Sequence, residues 1–382
     1  MNSRERVMKA LRFEEADRVP VDLGGTTGAS GIHVLAYAAL KKSLGLPCTQ
    51  VKCNDLMQQL AVIEPEVMER LHLDVAQVSP VTFAKEWHPL PLYPGLEVLS
   101  PQPVDLRRVG NGWELRNHAG ALFRKPDSSL YFDAADGKGW FNFHAPLTDA
   151  FLAGLAREVA RLHETTPHAL STRFGGGFFS SDPDFLERML EEPEEVGGEL
   201  LRRADGLIET YGRLWKALGE RVFCVIFADD FGTQNAPMVS PALFERVIAP
   251  AYRRFSSWLH RETPWKLYLH SCGSIEPLME SIVAMGVDLL NPIQTSATGM
   301  DPALLKAKYG KRLVFWGGGC DTQGVLGKVP IEELRRHVRE RVGILKPGGG
   351  FVFNQVHAIQ ADVPAADILA LFDTVHECGG YG

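Results

Sequence analysis

The chain has 382 residues and a formal net charge of −7 at neutral pH, with 45% hydrophobic and 23% charged residues. These are ordinary globular proportions. The negative balance argues against a nucleic-acid surface, and no stretch approaches the roughly 18 apolar residues of a membrane span. Asn2 and Ser3 precede Arg4, Glu5 and Arg6, so Met1–Leu11 is expected to be a capped amphipathic helix and not a signal peptide, which needs an apolar core. Six cysteines in a long chain without a secretion signal fit a reducing compartment. A cytoplasmic protein is expected.

Short apolar runs alternate with longer helical patterns, which predicts β/α units around a parallel sheet. The predicted strands, in chain order, are Arg18–Leu23, Asp74–Val78, Ala169–Phe174, Val222–Phe227, Lys266–Leu269, Val287–Leu290, Leu313–Trp316 and Phe351–Val356. Between the third and fourth, Val196, Leu200, Leu207, Tyr211, Leu214 and Leu218 mark a long helix. Ser240-Pro241 opens another, Ser274 is placed to cap Ile275–Met285 ahead of Gly286, and Pro330 opens a helix burying Leu334, Val338, Val342 and Leu345. Eight such units predict a (β/α)₈ TIM barrel, an α/β fold of about 250 residues. The excess is assigned to an N-terminal helical extension and a β-hairpin insertion at about 98–133, where Asn111-Gly112 and Ala119-Gly120 are turn signals. A single domain over residues 1–382 is expected. The alternative, an open doubly wound sheet, lacks a glycine-rich turn of the Rossmann G-x-G-x-x-G pattern after the first strand.

In a barrel, chemistry collects at the C-terminal ends of the strands. The fourth strand ends in Asp229-Asp230-Phe231, the fifth in His270-Ser271-Cys272 and the sixth in Asn291-Pro292-Ile293-Gln294. The seventh ends in Gly317-Gly318-Gly319-Cys320, and the eighth runs into Asn354-Gln355-Val356-His357. His270 and Cys272 are two apart, so they point to one face where their strand ends. Imidazole and thiolate are ligands that zinc prefers, and Cys320 and His357 are third partners from neighbouring ends. One of Asp229 and Asp230 is expected to face the pocket. Gly175–Gly177 and Gly317–Gly319 serve either tight packing or room for a bulky ligand. Cys224 reads as a small core residue.

Asn2–Pro20, the His270-x-Cys272-Gly273 turn, Gly317–Gln323 and Phe351–Pro364 together resemble the uroporphyrinogen decarboxylase-like superfamily over essentially the whole chain. Within it the chain looks closest to the zinc-dependent, corrinoid-linked methyltransferases of the O-demethylase type. The decarboxylase has arginines after its first strand that bind substrate carboxylates; here Asp22–Ser30 contains none. The resemblance implies zinc, a corrinoid (cobalamin) on a partner protein, and a small methylated substrate such as a methoxylated aromatic. His270 and Cys272 are the implied ligands. Cys320 is preferred as the third because thiolate outcompetes neutral nitrogen at a soft site, with His357 as the other choice. Asp229, Asp230, Gln294 and His357 are the catalytic candidates, and Phe174, Phe231, Trp316 and Asn354 the substrate-binding ones; Phe178 and Phe179 could also line the pocket. The competing readings are a metal-free tetrapyrrole decarboxylase and a non-catalytic corrinoid-binding barrel. Oligomeric state is left open, a homodimer included, as is the direction of transfer.

Overall fold

The computed structural model describes residues 1–26, 28–79, 81, 83–117, 120–135 and 147–382. Seven parallel strands form one sheet: Val75–Val78 (β1), Ala169–Thr172 (β2), Val222–Ala228 (β3), Lys266–His270 (β4), Leu289–Asn291 (β5), Val314–Trp316 (β6) and Phe351–Val352 (β7). They lie side by side in chain order. Alternate residues explain the layering. Val75, Ala169, Cys224, Ile226, Tyr268, Leu289, Val314, Trp316 and Val352 pack together on one face. Leu170, Val225, Phe227, Leu267, Leu269, Leu290, Phe315 and Phe351 belong to the larger cluster that includes the helices.

The inner face is covered at its N-terminal end by the helix Ser3–Leu11 (α1), whose Val7, Ala10 and Leu11 join that cluster. The predicted cap is present: Asn2 Oδ1 accepts from Glu5 N at 2.9 Å and Glu5 Oε2 accepts from Asn2 N at 3.0 Å. Buried Asp74 fixes the helix to the sheet, accepting from Arg6 at 2.6 Å, Arg18 at 2.7 Å and Val21 N at 2.8 Å.

The predicted first strand is corrected. Arg18–Leu23 forms only isolated bridges, Val21 with Phe353 and Arg18 with Gly380. Pro20 has no N–H, and the Val21 N–H goes to the Asp74 carboxylate, so a regular ladder cannot form. The segment still spans the two sheet edges. Phe353 N donates to Pro20 O at 2.8 Å, Asp22 N to Phe353 O at 2.9 Å and Asp74 N to Val21 O at 2.8 Å.

Between β1 and β2 the chain builds more sheet than the predicted hairpin. A meander of Asp105–Val109, Gly112–Arg116, Leu122–Pro126 and Asp133–Ala134 is antiparallel throughout. The turn between its first two strands is Gly110-Asn111, one residue before the predicted Asn111-Gly112, since Gly112 already pairs with Val109; Ala119 of the second turn signal lies outside the described residues. A separate sheet joins Leu60–Ala61, Gln50–Asp55, Leu96–Ser100 and His88–Tyr93.

The helices follow their sequence signals with two exceptions. Pro193–Leu218 buries Val196, Leu200, Tyr211, Leu214 and Leu218 as expected, with Leu207 only partly buried, and Ile331–Leu345 buries Leu334, Val338, Val342 and Leu345. Ser240 caps Pro241–Leu243, but the following turn, Phe244–Ile248, is π-wound before the α-helix Ala249–Glu262; Pro250 has no N–H for the regular ladder. Ser274 caps nothing. Its hydroxyl donates to Thr298 O at 2.6 Å, and the next helix starts only at Met279 after a tighter turn.

Candidate metal centre

His270 and Tyr268 share one face of β4, and Tyr268 lies in the inner cluster, so His270 projects inward at the C-terminal edge of the sheet. Cys272 follows on the same face. Gly273, with φ 91°, turns the chain there; a Cβ would stand 2.3 Å from Gly232 O, so only glycine fits against the neighbouring strand end. The turn is held on both sides. Cys272 N donates to Asp230 Oδ1 at 2.7 Å, Gly273 N to Gln294 Oε1 at 2.7 Å and Ser274 N to Thr233 O at 2.7 Å.

Among the described residues, one group of His, Cys, Asp or Glu side chains is arranged to hold a metal ion: His270, Cys272 and His357, with ligand atoms all within 4.8 Å of one another. Cys272 Sγ and His270 Nε2 are 3.5 Å apart. Tetrahedral zinc spaces nitrogen and sulfur ligands by roughly 3.4–3.8 Å, so small rotations suffice. The tautomer of His270 follows from its neighbour. Asn291 Nδ2 donates to Trp316 O at 2.7 Å, which turns Asn291 Oδ1 toward His270 Nδ1, also at 2.7 Å. Nδ1 therefore carries the proton and Nε2 presents its lone pair to the cluster.

The electrostatics suit a cation. Burial, with a smaller contribution from His270, pulls His357 down to about 4, which keeps it neutral and able to ligate at neutral pH. Burial and the Asp230 carboxylate push the Cys272 thiol up. A divalent cation among these groups supplies the positive charge that favours the thiolate.

The remaining candidates separate into three groups. Cys320 does not join the cluster: it is fully buried in the main core, with Sγ 3.7 Å from Asp321 O. Its neighbours Gly318 and Gly319 explain this placement. Added Cβ atoms there would stand 2.9 Å from Ile293 and 2.4 Å from Phe353, so this loop is packed inward and leaves no open wall. Gln294 braces the Cys272 turn, its amide oxygen accepting from Gly273 N and its amide nitrogen donating to Gln234 at 2.9 Å. The two aspartates differ. Asp229 is buried and accepts from Tyr252 at 2.6 Å and Phe178 N at 2.5 Å; burial raises it to about 6. Asp230 is half-exposed, and its Oδ1 lies 3.5 Å from His270 Nε2.

The aromatic candidates are mostly core. Trp316 is fully buried, stacks on Phe223 at 5.7 Å and donates to Asp22 Oδ2 at 2.8 Å. Phe231 packs edge-on against Phe244, and Phe178 against Tyr252, both ring pairs at 4.9 Å. Phe174 and Phe179 are only half-buried. Asn354 donates to Asp22 O at 3.1 Å, while its own amide oxygen is buried without a hydrogen-bond partner.

Two residues near the cluster were not among the candidate site residues, although Asn291 stands at the sixth strand end. Asn291 is legible only once His270 is placed. Tyr131 comes from the inserted segment, its backbone flanked by Gln59 Nε2 to Leu130 O at 3.1 Å and Phe132 N to Met57 O at 3.0 Å. Its hydroxyl accepts from Gln360 Nε2 at 3.2 Å, which also donates to Ala358 O, next to His357.

Among solved structures, one of those compared shares this fold. A methyltransferase from Methanosarcina mazei is 16% identical and aligns over 99% of each chain with a TM-score of 0.58. Dispersin B, at 9% identity over 95% of this chain and 98% of its own, reaches only 0.37. A dihydropteroate synthase from Coxiella burnetii, 10% identical over 55% and 69%, reaches 0.31. Comparison with curated protein sequences gave no significant match. The profile described as Uroporphyrinogen decarboxylase (URO-D) matches residues 176–378, more than half of the chain and all of the segment that carries His270, Cys272 and His357. The chain therefore belongs to the uroporphyrinogen decarboxylase (URO-D) family.

Proposed function

We propose that the protein is a zinc-dependent methyltransferase that moves a methyl group between a small methylated substrate, a methoxylated aromatic, and a corrinoid carried by a partner protein. The observation that carries this reading is the convergence of His270, Cys272 and His357 at one sheet edge. His270, Cys272 and His357 would hold the ion through two nitrogens and one sulfur, a donor set that suits zinc. Zinc bound there would supply Lewis acidity to the ether oxygen of the methoxy group. The protein's own groups do the rest. Asn291 holds the His270 tautomer, and Asp230 and Gln294 hold the Cys272 turn. As the methyl group leaves, the aryl oxygen must take up one proton. Asp230 is the aspartate to deliver it, since Asp229 is engaged by Tyr252 and Phe178.

The resemblance to methyltransferases and the lack of any arginine in Asp22–Ser30 favour this reading over tetrapyrrole decarboxylation. We read the sheet, closed by Pro20–Asp22, as a (β/α)₈ barrel, with residues 1–382 as one domain bearing α1 as an N-terminal helical extension and an insertion at about 98–133. No helix of the described residues is long and apolar enough to cross a membrane, and we place the enzyme in the cytoplasm.

Elemental analysis of the purified protein tests the metal. One zinc per chain is expected, lost in Cys272→Ser and His357→Ala and kept in Cys320→Ser. Zinc that survives His357→Ala but not Cys320→Ser reverses the ligand assignment. Methyl transfer is read separately, by the spectral change of a reduced corrinoid supplied with 2-methoxyphenol; transfer unaltered by Cys272→Ala sinks the mechanism.

A further inference from the structure

Among the described residues at the C-terminal edge of the sheet, Arg173 is a cation outside the cluster of His270, Cys272 and His357. Arg173 directly follows β2. Ala169 of that strand lies in the inner cluster and pairs with Val75, so Ser171 and Arg173 share its inward face. Ser171 bears this out, donating to Gly25 O in the segment that crosses the inner face. Tyr268 and His270 are inward by the same parity on β4, and β3 alone separates the two strands.

Arg173 is half-buried, and its guanidinium makes no hydrogen bond or ion pair with a described residue. The buried carboxylates of this region do not claim it. Asp22 is satisfied by Gly25 N, Thr26 and Trp316 at 2.7–2.8 Å, and Asp229 by Tyr252 and Phe178. Asp55 feels the charge of Arg173, yet forms no contact with it within ion-pair distance; it accepts from Gln58 N at 3.0 Å. A polar atom beside Asp55 is also unspent: Gln58 Oε1 is buried without a hydrogen-bond partner. A half-buried guanidinium without a protein partner is free to take an anion, and its planar fork fits a carboxylate with two parallel hydrogen bonds.

We propose that Arg173 anchors a carboxylate on the small-molecule substrate of the His270–Cys272–His357 site, making that substrate an aromatic acid and not a neutral ether. Two strand spacings, about 10 Å, separate β2 from β4. An arginine side chain and a benzoate-sized molecule together fill that distance, with the carboxylate at one end and the ether oxygen at the metal ligands. The proposal rests on the reading of the site as a methyltransferase, but the two fail in different assays.

The test is calorimetric titration of the zinc-loaded protein with 4-hydroxy-3-methoxybenzoate and with 2-methoxyphenol, which differ by the carboxylate. Wild type is expected to bind the acid about tenfold to hundredfold tighter. Arg173→Gln is expected to lose that preference with affinity for the neutral probe unchanged, and Arg173→Lys to recover part of it; zinc content and thermal unfolding verify that both variants fold. A wild type that binds the acid no tighter than the phenol, or a preference that survives in Arg173→Gln, overturns the proposal. Acid binding that depends on Arg173 in a protein that transfers no methyl group supports the anion site and sinks the methyltransferase reading.

Discussion

Asn291 touches no substrate, yet the geometry makes it a determinant of metal affinity. It is fully buried, accepts from His270 Nδ1 and donates to Trp316 O, both at 2.7 Å. Asn291→Leu has nearly the same volume and removes both bonds. Releasing a ligand histidine from its outer partner costs about tenfold to hundredfold in metal affinity, or roughly 1.4–2.7 kcal/mol. The metal-free protein should also lose about 2–4 kcal/mol, from two hydrogen bonds and a buried carbonyl left unsatisfied. Asn291→Asp separates the two effects. It keeps an acceptor for His270, so zinc affinity should stay within a fewfold of wild type, while stability falls because a carboxylate cannot donate to Trp316 O. Competition with a chelator of known zinc affinity reads the first quantity and urea unfolding of the metal-free protein the second. Asn291→Leu protein that holds zinc as tightly as wild type would refute the assignment of His270 Nε2 as a ligand.

Three further outcomes are expected. Burial raises Asp229 to about 6 from an ordinary 3.8. A carboxyl with a raised folded pKa contributes stability that is complete below about pH 3.8 and lost as pH rises through about 6. For a shift of about two units that is on the order of 3 kcal/mol. Asp22, also near 6, acts the same way, so Asp229→Asn should remove about half of the loss these two groups cause between pH 4 and 7 in urea midpoints; an unchanged slope contradicts it. Gly177→Ala places a Cβ 2.3 Å from Asp229 Oδ1 at φ +133°; thermal unfolding should show a loss of at least about 2 kcal/mol, and a neutral result would mean this loop shifts freely. Asp74→Ala leaves Arg6 and Arg18 without their buried partner and should cost about 3–5 kcal/mol; chemical denaturation that detects less than 1 kcal/mol refutes the role of Asp74 in joining α1 to the sheet.

The chain's own pattern determined the inner and outer faces of the seven strands, the α1 cap, and the inward pair His270 and Cys272, because strand alternation and capping are local rules. It also brought His357 into consideration. It could not choose between His357 and Cys320, since soft-ligand preference says nothing about which loop turns inward. That choice depended on Gly318 and Gly319 packing onto Ile293 and Phe353, contacts between residues far apart in the chain, which bury Cys320 and leave His357 beside His270. The first strand was misread for a similar reason: apolar character at Val19, Val21 and Leu23 is visible locally, but the diversion of the Val21 N–H to Asp74, 53 residues away, is not. Asp229 and Asp230 are adjacent and alike in sequence, and only the loop Gly177–Phe179 folding over the first made one a buried brace and left the other at the mouth. Local sequence sets which side of a strand a residue faces. Long-range packing decides which of the residues facing inward meet.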